Sequence, residues 1–256
     1  MDIWHIVGNG PGEQVVGENE RVIRFNQPLT LNAGTNLTIT NSKVAGLKNG
    51  FLVQGELPDE QFIERLEINS KKLEPLLGCK PSLGILTIKT MLEYDVVVNV
   101  SCMALLPSLE RPKGYPENKA IPAAYHNWLA ERQLALLWID KLCWPEFLLQ
   151  APVQNGASTT ITMDCFHLLK QLPSLSRKEA SQLWEKLSKV SYHTWLEQAD
   201  GFSLKTVEPL FYIPRDRHIS PNWWMYDNQV SVHVNHLQKI LALVQQAYIF
   251  SKRVKA

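Results

Sequence analysis

Residues 3–26 read IWHIVGNGPGEQVVGENERVIRFN, and how this stretch folds decides how the rest of the chain is read. Ile3, Ile6 and Val7 leave no room for a polar side, as expected of a strand buried on both faces of a parallel sheet. The run Gly8-Asn9-Gly10-Pro11 then turns the chain. Neither Gly8 nor Gly10 carries a Cβ, so the backbone can bend sharply and approach a bound group closely. Amide N–H groups in such a turn can face an anion, most simply a phosphate. The plainer alternative is a turn and nothing more. A second strand over residues 22–26 ends in Arg24-Phe25-Asn26.

A nicotinamide-binding unit of this shape needs an acidic residue at the end of its second strand to hold the ribose hydroxyls. Here that place holds Arg24 and Asn26. A cation and an amide suit a nucleotide phosphate better than a ribose diol, which disfavours a dehydrogenase.

The pairing of VGNGP (residues 7–11) with VIRFN (residues 22–26) resembles the first half of the donor site in sialyltransferases, which use CMP-sialic acid. The resemblance implies that Asn9 and Asn26 reach the phosphate and ribose of the donor, beside Gly8 and Gly10, with Arg24 as a further candidate.

With 256 residues and 45% hydrophobic content, the chain can bury a large core, either as one domain or as one domain with an appendage. A net charge of +1 gives no electrostatic footprint for nucleic acid. No apolar run approaches the ~20 residues of a membrane span. A strand begins at residue 3 with no signal peptide before it, so the expectation is a cytoplasmic protein. The tail Lys252-Arg253-Val254-Lys255 offers peripheral contact with an anionic inner-membrane surface, at about 3 kcal/mol at best, or is neutral surface. Cys79, Cys102, Cys143 and Cys165 lack metal-ligand spacing and read as reduced core thiols. No Asp-x-Asp pair is present to hold a divalent metal, and sialyltransferases need none.

Residues 36–40 (NLTIT) form a third strand. Asn41 and Ser42 fall at its carboxyl end, where open α/β sheets bind ligands, so they are candidates for donor or acceptor contact, or an ordinary polar strand exit. Residues 51–55 suit a short strand. Pro58 opens a helix carrying Phe62, Ile63 and Leu66, and a second helical piece over residues 71–77 stops at Gly78. Pro81-Ser82 then precedes Gly84, a largely apolar helix and a β-branched strand through Val96, Val97, Val98 and Val100. Ser82 and the helix start at Gly84 offer a hydroxyl and free amides to a nucleotide, or Ser82 is simply a cap. This order is similar to the second sialyltransferase motif, Pro-Ser-x-Gly, helix, buried strand. It departs from the motif at Val100-Ser101-Cys102, where the family has a glycine.

Residues 107–122 hold Pro107, Pro112, Pro116 and Pro122. A loop of this length reads as a functional lid or a disordered segment, with Tyr115, Arg111 and Lys113 as candidates for the departing phosphate. From Ala123 a helix is predicted with His126 in its first turn, where the positive helix end favours a neutral imidazole able to act as a base. A partly exposed surface histidine is the alternative. His126 and Glu131 form His-x-x-x-x-Glu, which resembles the last sialyltransferase motif, whose histidine is the catalytic base. Further on, Ser176 and Glu179 form a capping box. Residues 209–226 are rich in proline and aromatics, with Trp223, Trp224, Arg215, Arg217 and His218, and a final helix follows. The aromatics read as core.

Together these readings predict an α/β protein. Its first part, residues 1–145, is a Rossmann-like, mostly parallel sheet of the sialyltransferase type, and residues 146–256 are a mainly helical lid or acceptor region. The resemblance implies a metal-independent inverting glycosyltransferase moving an acidic sugar from a CMP-sugar donor to a glycan or glycolipid hydroxyl, with no cofactor. Sialic acid is the first choice of sugar and Kdo the second. A nucleotide-binding module without transfer activity is the alternative.

Overall fold

The computed structural model describes residues 2–14, 16–27, 34–151, 163–214 and 221–254. Arg215, Arg217, His218 and Lys255 lie outside them. The chain divides into two units: residues 1–105 with 137–147, and residues 106–136 with 148–256. This differs from the expected division at 145. Leu109, Ala120, Ile121, Ala124 and Leu129 are buried in the same apolar cluster as Trp184, Trp195 and Trp224, which ties residues 106–136 to the helical unit.

The first unit is mixed α/β. Strands β1 (Ile3–Val7), β2 (Glu20–Phe25), β3 (Leu37–Asn41), β4 (Phe51–Gly55) and β5 (Val97–Ser101) form one sheet in the order β4-β3-β2-β1-β5. All neighbours are parallel except β4, which runs antiparallel at the edge. Beyond β5, Cys143 donates to Val98 O at 3.0 Å and accepts from Val100 N–H at 2.9 Å, adding a short extended piece. Cys143 is exposed, unlike the other three cysteines, so it is not the core thiol expected.

Helices α1 (Ser42–Ala45), α2 (Phe62–Leu77) and α3 (Leu83–Met91) complete the unit. The expected two helices over residues 58–77 are one. Pro75 falls in the last turn of α2, and the chain leaves the helix at Gly78 with φ 70°, the left-handed exit that glycine adopts without strain.

Strand alternation sorts the sheet into two unlike faces. Trp4, Ile6, Ile23, Phe25, Leu37, Ile39, Val98 and Val100 are all buried on one side, where α3 packs against β1 and β3. The opposite side carries His5, Glu20, Arg24, Thr38, Asn99 and Ser101, with Val7 and Val22 among them. β1 is therefore not apolar on both sides, as expected from its isoleucines and valine. Crossover helices normally cover both faces of a parallel sheet. Here the β1–β2 connection shows no helix among its described residues, and the long helices follow β4.

The second unit is built from α4 (Trp128–Trp138), α5 (Cys165–Gln171), α6 (Arg177–Ser188), α7 (Tyr192–Glu197), α8 (Gly201–Val207) and α9 (Ser231–Arg253). Trp184 packs edge-on against Phe211 at 5.6 Å and lies 5.7 Å from Trp224. Phe166 meets Trp195 edge-on at 5.1 Å. These aromatics are core, as read from their spacing. The capping box of Ser176 and Glu179 opens α6.

The proline loop is tied down from within. Buried Arg111 donates to Pro116 O at 2.6 Å, Lys119 O at 2.9 Å, Met225 O at 3.2 Å and Asn228 Oδ1 at 2.7 Å. Its guanidinium is thus spent on two carbonyls of the loop and on Met225 and Asn228, not held for a phosphate. No helix among the described residues is long and apolar enough to cross a membrane.

Candidate functional site

The strand order reverses between β1 and β5: the chain runs outward from β1 through β2 and β3, then places β5 on the other side of β1. Open α/β sheets bind ligands outside the carboxyl ends of their strands at such a reversal. The Gly8–Gly10 turn stands there, and the neighbouring strand ends carry asparagines. Asn9 Nδ2 donates to Phe25 O at 3.3 Å. Asn26 takes φ 56°, in the left-handed region that asparagine tolerates better than most residues. Its Oδ1 accepts from both the backbone N–H and the Nδ2 of Asn41, each at 3.1 Å. Asn41 in turn caps α1, its Oδ1 accepting from Val44 N–H at 3.0 Å, with Ser42 the first helical residue. Gly8, Asn9, Gly10, Asn26, Asn41 and Ser42 are thus gathered at one end of the sheet. Arg24 is on the polar face but not in this group: its Nε donates to Thr35 Oγ1 at 3.1 Å, ahead of the start of β3 and so toward the amino ends of the strands.

The glycines serve a different purpose from the one expected. Gly8 N–H donates to Ser101 O at 2.9 Å and Gly10 N–H to Cys102 O at 2.8 Å, so neither amide is aimed at an anion. A Cβ on Gly8 would lie 2.3 Å from Cys102 O, a contact that backbone cannot yield to cheaply. Their lack of a side chain lets the turn seat on the exit of β5. Ser82 is the N-cap of α3, with Oγ accepting from Ile85 N–H at 3.4 Å. A Cβ on Gly84 would fall 2.1 Å from Met103 Sδ, and one on Gly8 2.7 Å from Met103 Cβ. Met103 therefore lies between the turn and the start of α3. Cys102 and Leu105 take φ 54° and 48°, backbone strain of a kind that clusters at functional sites.

His126, Glu131 and Tyr115 belong to the second unit. His126 is not in a first helical turn. Its backbone is extended, φ −125° and ψ 142°, after a short turn of helix at Pro122–Tyr125. Asn127 opens α4 by accepting from Ala130 N–H at 3.2 Å, and its amide donates to Glu208 Oε2 at 3.1 Å. Burial pushes the Glu208 carboxyl up from its ordinary range, against the pull of Lys205. His126 Nδ1 lies 3.8 Å from Oε1 of fully buried Glu131, and its ring stands 5.1 Å from Trp128. At 3.8 Å the carboxylate is near the imidazole but outside hydrogen-bond distance of Nδ1. Tyr115 OH donates to Ala120 O at 3.4 Å under the Arg111 guanidinium, so it braces the loop.

The polar row His5, Glu20, Asn99 and Ser101 was not among the candidates; only Asn99 and Ser101 show in the sequence as polar residues two apart within one strand. Among the described residues, no group of three or more His, Cys, Asp or Glu side chains is placed to hold a metal ion. Comparison with protein-family models, with curated proteins and with solved structures found no match to this chain.

Proposed function

We propose that the first unit binds a nucleotide-activated sugar at the carboxyl ends of β1, β2 and β3, and that the chain is a metal-independent inverting glycosyltransferase with a Rossmann-like, sialyltransferase-type fold. The observation that carries this reading is the gathering of Asn9, Asn26 and Asn41 at the carboxyl ends of these strands, where Asn9 bonds the Phe25 carbonyl and Asn26 bonds Asn41. Side-chain amides both donate to phosphate oxygens and accept from ribose hydroxyls. In this reading Asn9 and Asn26 hold phosphate and ribose, and Ser82 and Gly84 flank the nucleotide. His126 takes the proton of an acceptor hydroxyl as that oxygen attacks the anomeric carbon. The bond to CMP breaks with inversion, with Glu131 near the imidazole. The donor is a CMP-linked acidic sugar, sialic acid before Kdo, and the acceptor is a glycan or glycolipid met in the cytoplasm or at the membrane surface.

Incubation of the purified protein with CMP-sialic acid, CMP-Kdo and other nucleotide sugars, with glycan acceptors and with or without EDTA, tests it. Sugar transfer that survives EDTA is the expected result. A strict need for divalent metal overturns the mechanism.

A second reading, a nucleotide-binding module without transfer, is favoured by Met103 filling the space between Gly8 and Gly84 and by the spent amides of the turn. Calorimetric binding of CMP with no hydrolysis or transfer over a broad acceptor panel would select it.

A further inference from the structure

On the polar face of the sheet, three side chains stand in hydrogen-bonded series, and the transferase reading uses none of them. His5 is in the middle of β1, Glu20 opens β2 and Ser101 closes β5. Glu20 Oε2 lies 2.7 Å from His5 Nδ1, and His5 Nε2 lies 2.8 Å from Ser101 Oγ. Asn99 Nδ2 donates to the other carboxylate oxygen at 2.8 Å. His5 is 4% exposed and Ser101 8%.

The partners fix the direction of each proton. Burial alone would raise the Glu20 carboxyl, but hydrogen bonds from His5, the Gly17 backbone and Asn99 hold it below its usual range. An ionised carboxylate only accepts, so His5 Nδ1 must carry its proton. In the neutral imidazole Nε2 is then the lone pair, and the Ser101 hydroxyl must donate to it. This is the protonation pattern a base needs to activate a hydroxyl. Ser101 is also at the ligand end of its strand. Its carbonyl is anchored by Gly8 N–H, and the next residue, Cys102, has φ 54°.

We propose that Ser101 is a nucleophile, with His5 as its general base and Glu20 as the residue that positions His5, and that the site takes carboxylic esters of small acyl groups. The narrow exposure of Ser101 sets the size limit. Ser101 Oγ attacks the ester carbonyl carbon and its proton passes to His5 Nε2. The bond to the alcohol oxygen breaks, and the departing alcohol takes that proton. Water then attacks the acyl-serine, giving its proton to His5. The serine oxygen leaves and recovers the proton, so the sum is ester plus water to acid plus alcohol.

The test uses the full chain, a fluorophosphonate probe with peptide mapping, and hydrolysis of p-nitrophenyl acetate. The expected result is one adduct, on Ser101, absent in Ser101→Ala. Its rate of formation and the acetate turnover should both fall about 100-fold in His5→Ala. Ser174→Ala, at an exposed serine of the second unit, should label as the wild type does. Long-range 1H–15N correlation should place the His5 proton on Nδ1 in the wild type. Glu20→Ala should lose that signature together with the labelling, and Glu20→Asp should recover part of both. Mapping of the wild type needs no variant to fold. A folded wild type with no adduct on Ser101 and only background ester hydrolysis would overturn the proposal and leave the three residues as a brace across the sheet.

Discussion

Asn26 Oδ1 accepts two hydrogen bonds from a single neighbour, the backbone N–H and the side-chain amide of Asn41, both at 3.1 Å. The pair locks the ends of β2 and β3 together while the Asn26 backbone stays in the left-handed region. Asn26→Gly keeps the backbone conformation and loses the acceptor. Asn26→Ala loses both, at a further ~1–2 kcal/mol of strain. Urea unfolding should rank the alanine variant below the glycine variant. If Asn26 holds the donor, calorimetry should find CMP binding weakened at least ~10-fold in both. Unchanged CMP affinity in the less stable protein would make Asn26 structural only.

Gly8 and Gly84 should respond differently to the same methyl group. Gly8→Ala drives Cβ into the Cys102 carbonyl, so a loss of about 1–3 kcal/mol is expected. Gly84→Ala meets only the flexible end of Met103, so its loss should be smaller. Adding Met103→Ala to Gly84→Ala should recover part of it, a non-additivity that thermal unfolding of the double variant will detect.

His126→Ala separates chemistry from binding. The turnover number should fall ~10²–10⁴-fold with CMP affinity nearly unchanged, because proton removal contributes only in the transition state. Steady-state kinetics beside calorimetry gives both numbers. Full retention of activity would place the base elsewhere.

The second unit should weaken in acid through Asp227. Burial alone would raise this carboxyl, but Arg177 at 2.6 Å and the N–H groups of Val230 and Gln229, at the start of α9, hold it below its ordinary range. A group with a depressed folded-state pKa contributes fully above its unfolded value. Its contribution should therefore be intact at neutral pH and should fade as the pH drops below about 4. Trp184, Trp195 and Trp224 report on this core by fluorescence. Asp227→Asn should unfold more readily at pH 7 and show a shallower acid dependence than the wild type.

Much of the first unit was legible because its signals are local. The glycine turn, the strand at residues 36–40 and the helix after Ser82 each declare themselves within a few residues. The polar face was not legible while Ile3, Ile6 and Val7 were read as a block. His5 shares a face with Ile3 and Val7, so its polarity is masked by apolar neighbours on both sides, and its partners Glu20 and Ser101 are distant in sequence. Arg111 was misread for a similar reason. A basic residue in a proline loop looks available, and only the fold shows that Pro116, Lys119, Met225 and Asn228 take its donors. The expected division at 145 misses the excursion of residues 106–136, which join a cluster completed by helices far downstream.

The path of the chain between its two units constrains how it can be made and cut. Residues 137–147 return to the sheet after 106–136 have gone to the helices, and Cys143 supplies the backbone partner of Val98 and Val100. During synthesis the outer side of β5 therefore waits, unpaired along its edge, until the intervening segment has left the ribosome, an interval in which an open strand edge invites association between chains. No single cut releases either unit whole. A fragment ending at residue 105 would lack the strip that closes β5, and should be recovered as a soluble monomer less readily than one in which a short linker joins residue 105 directly to 137–147.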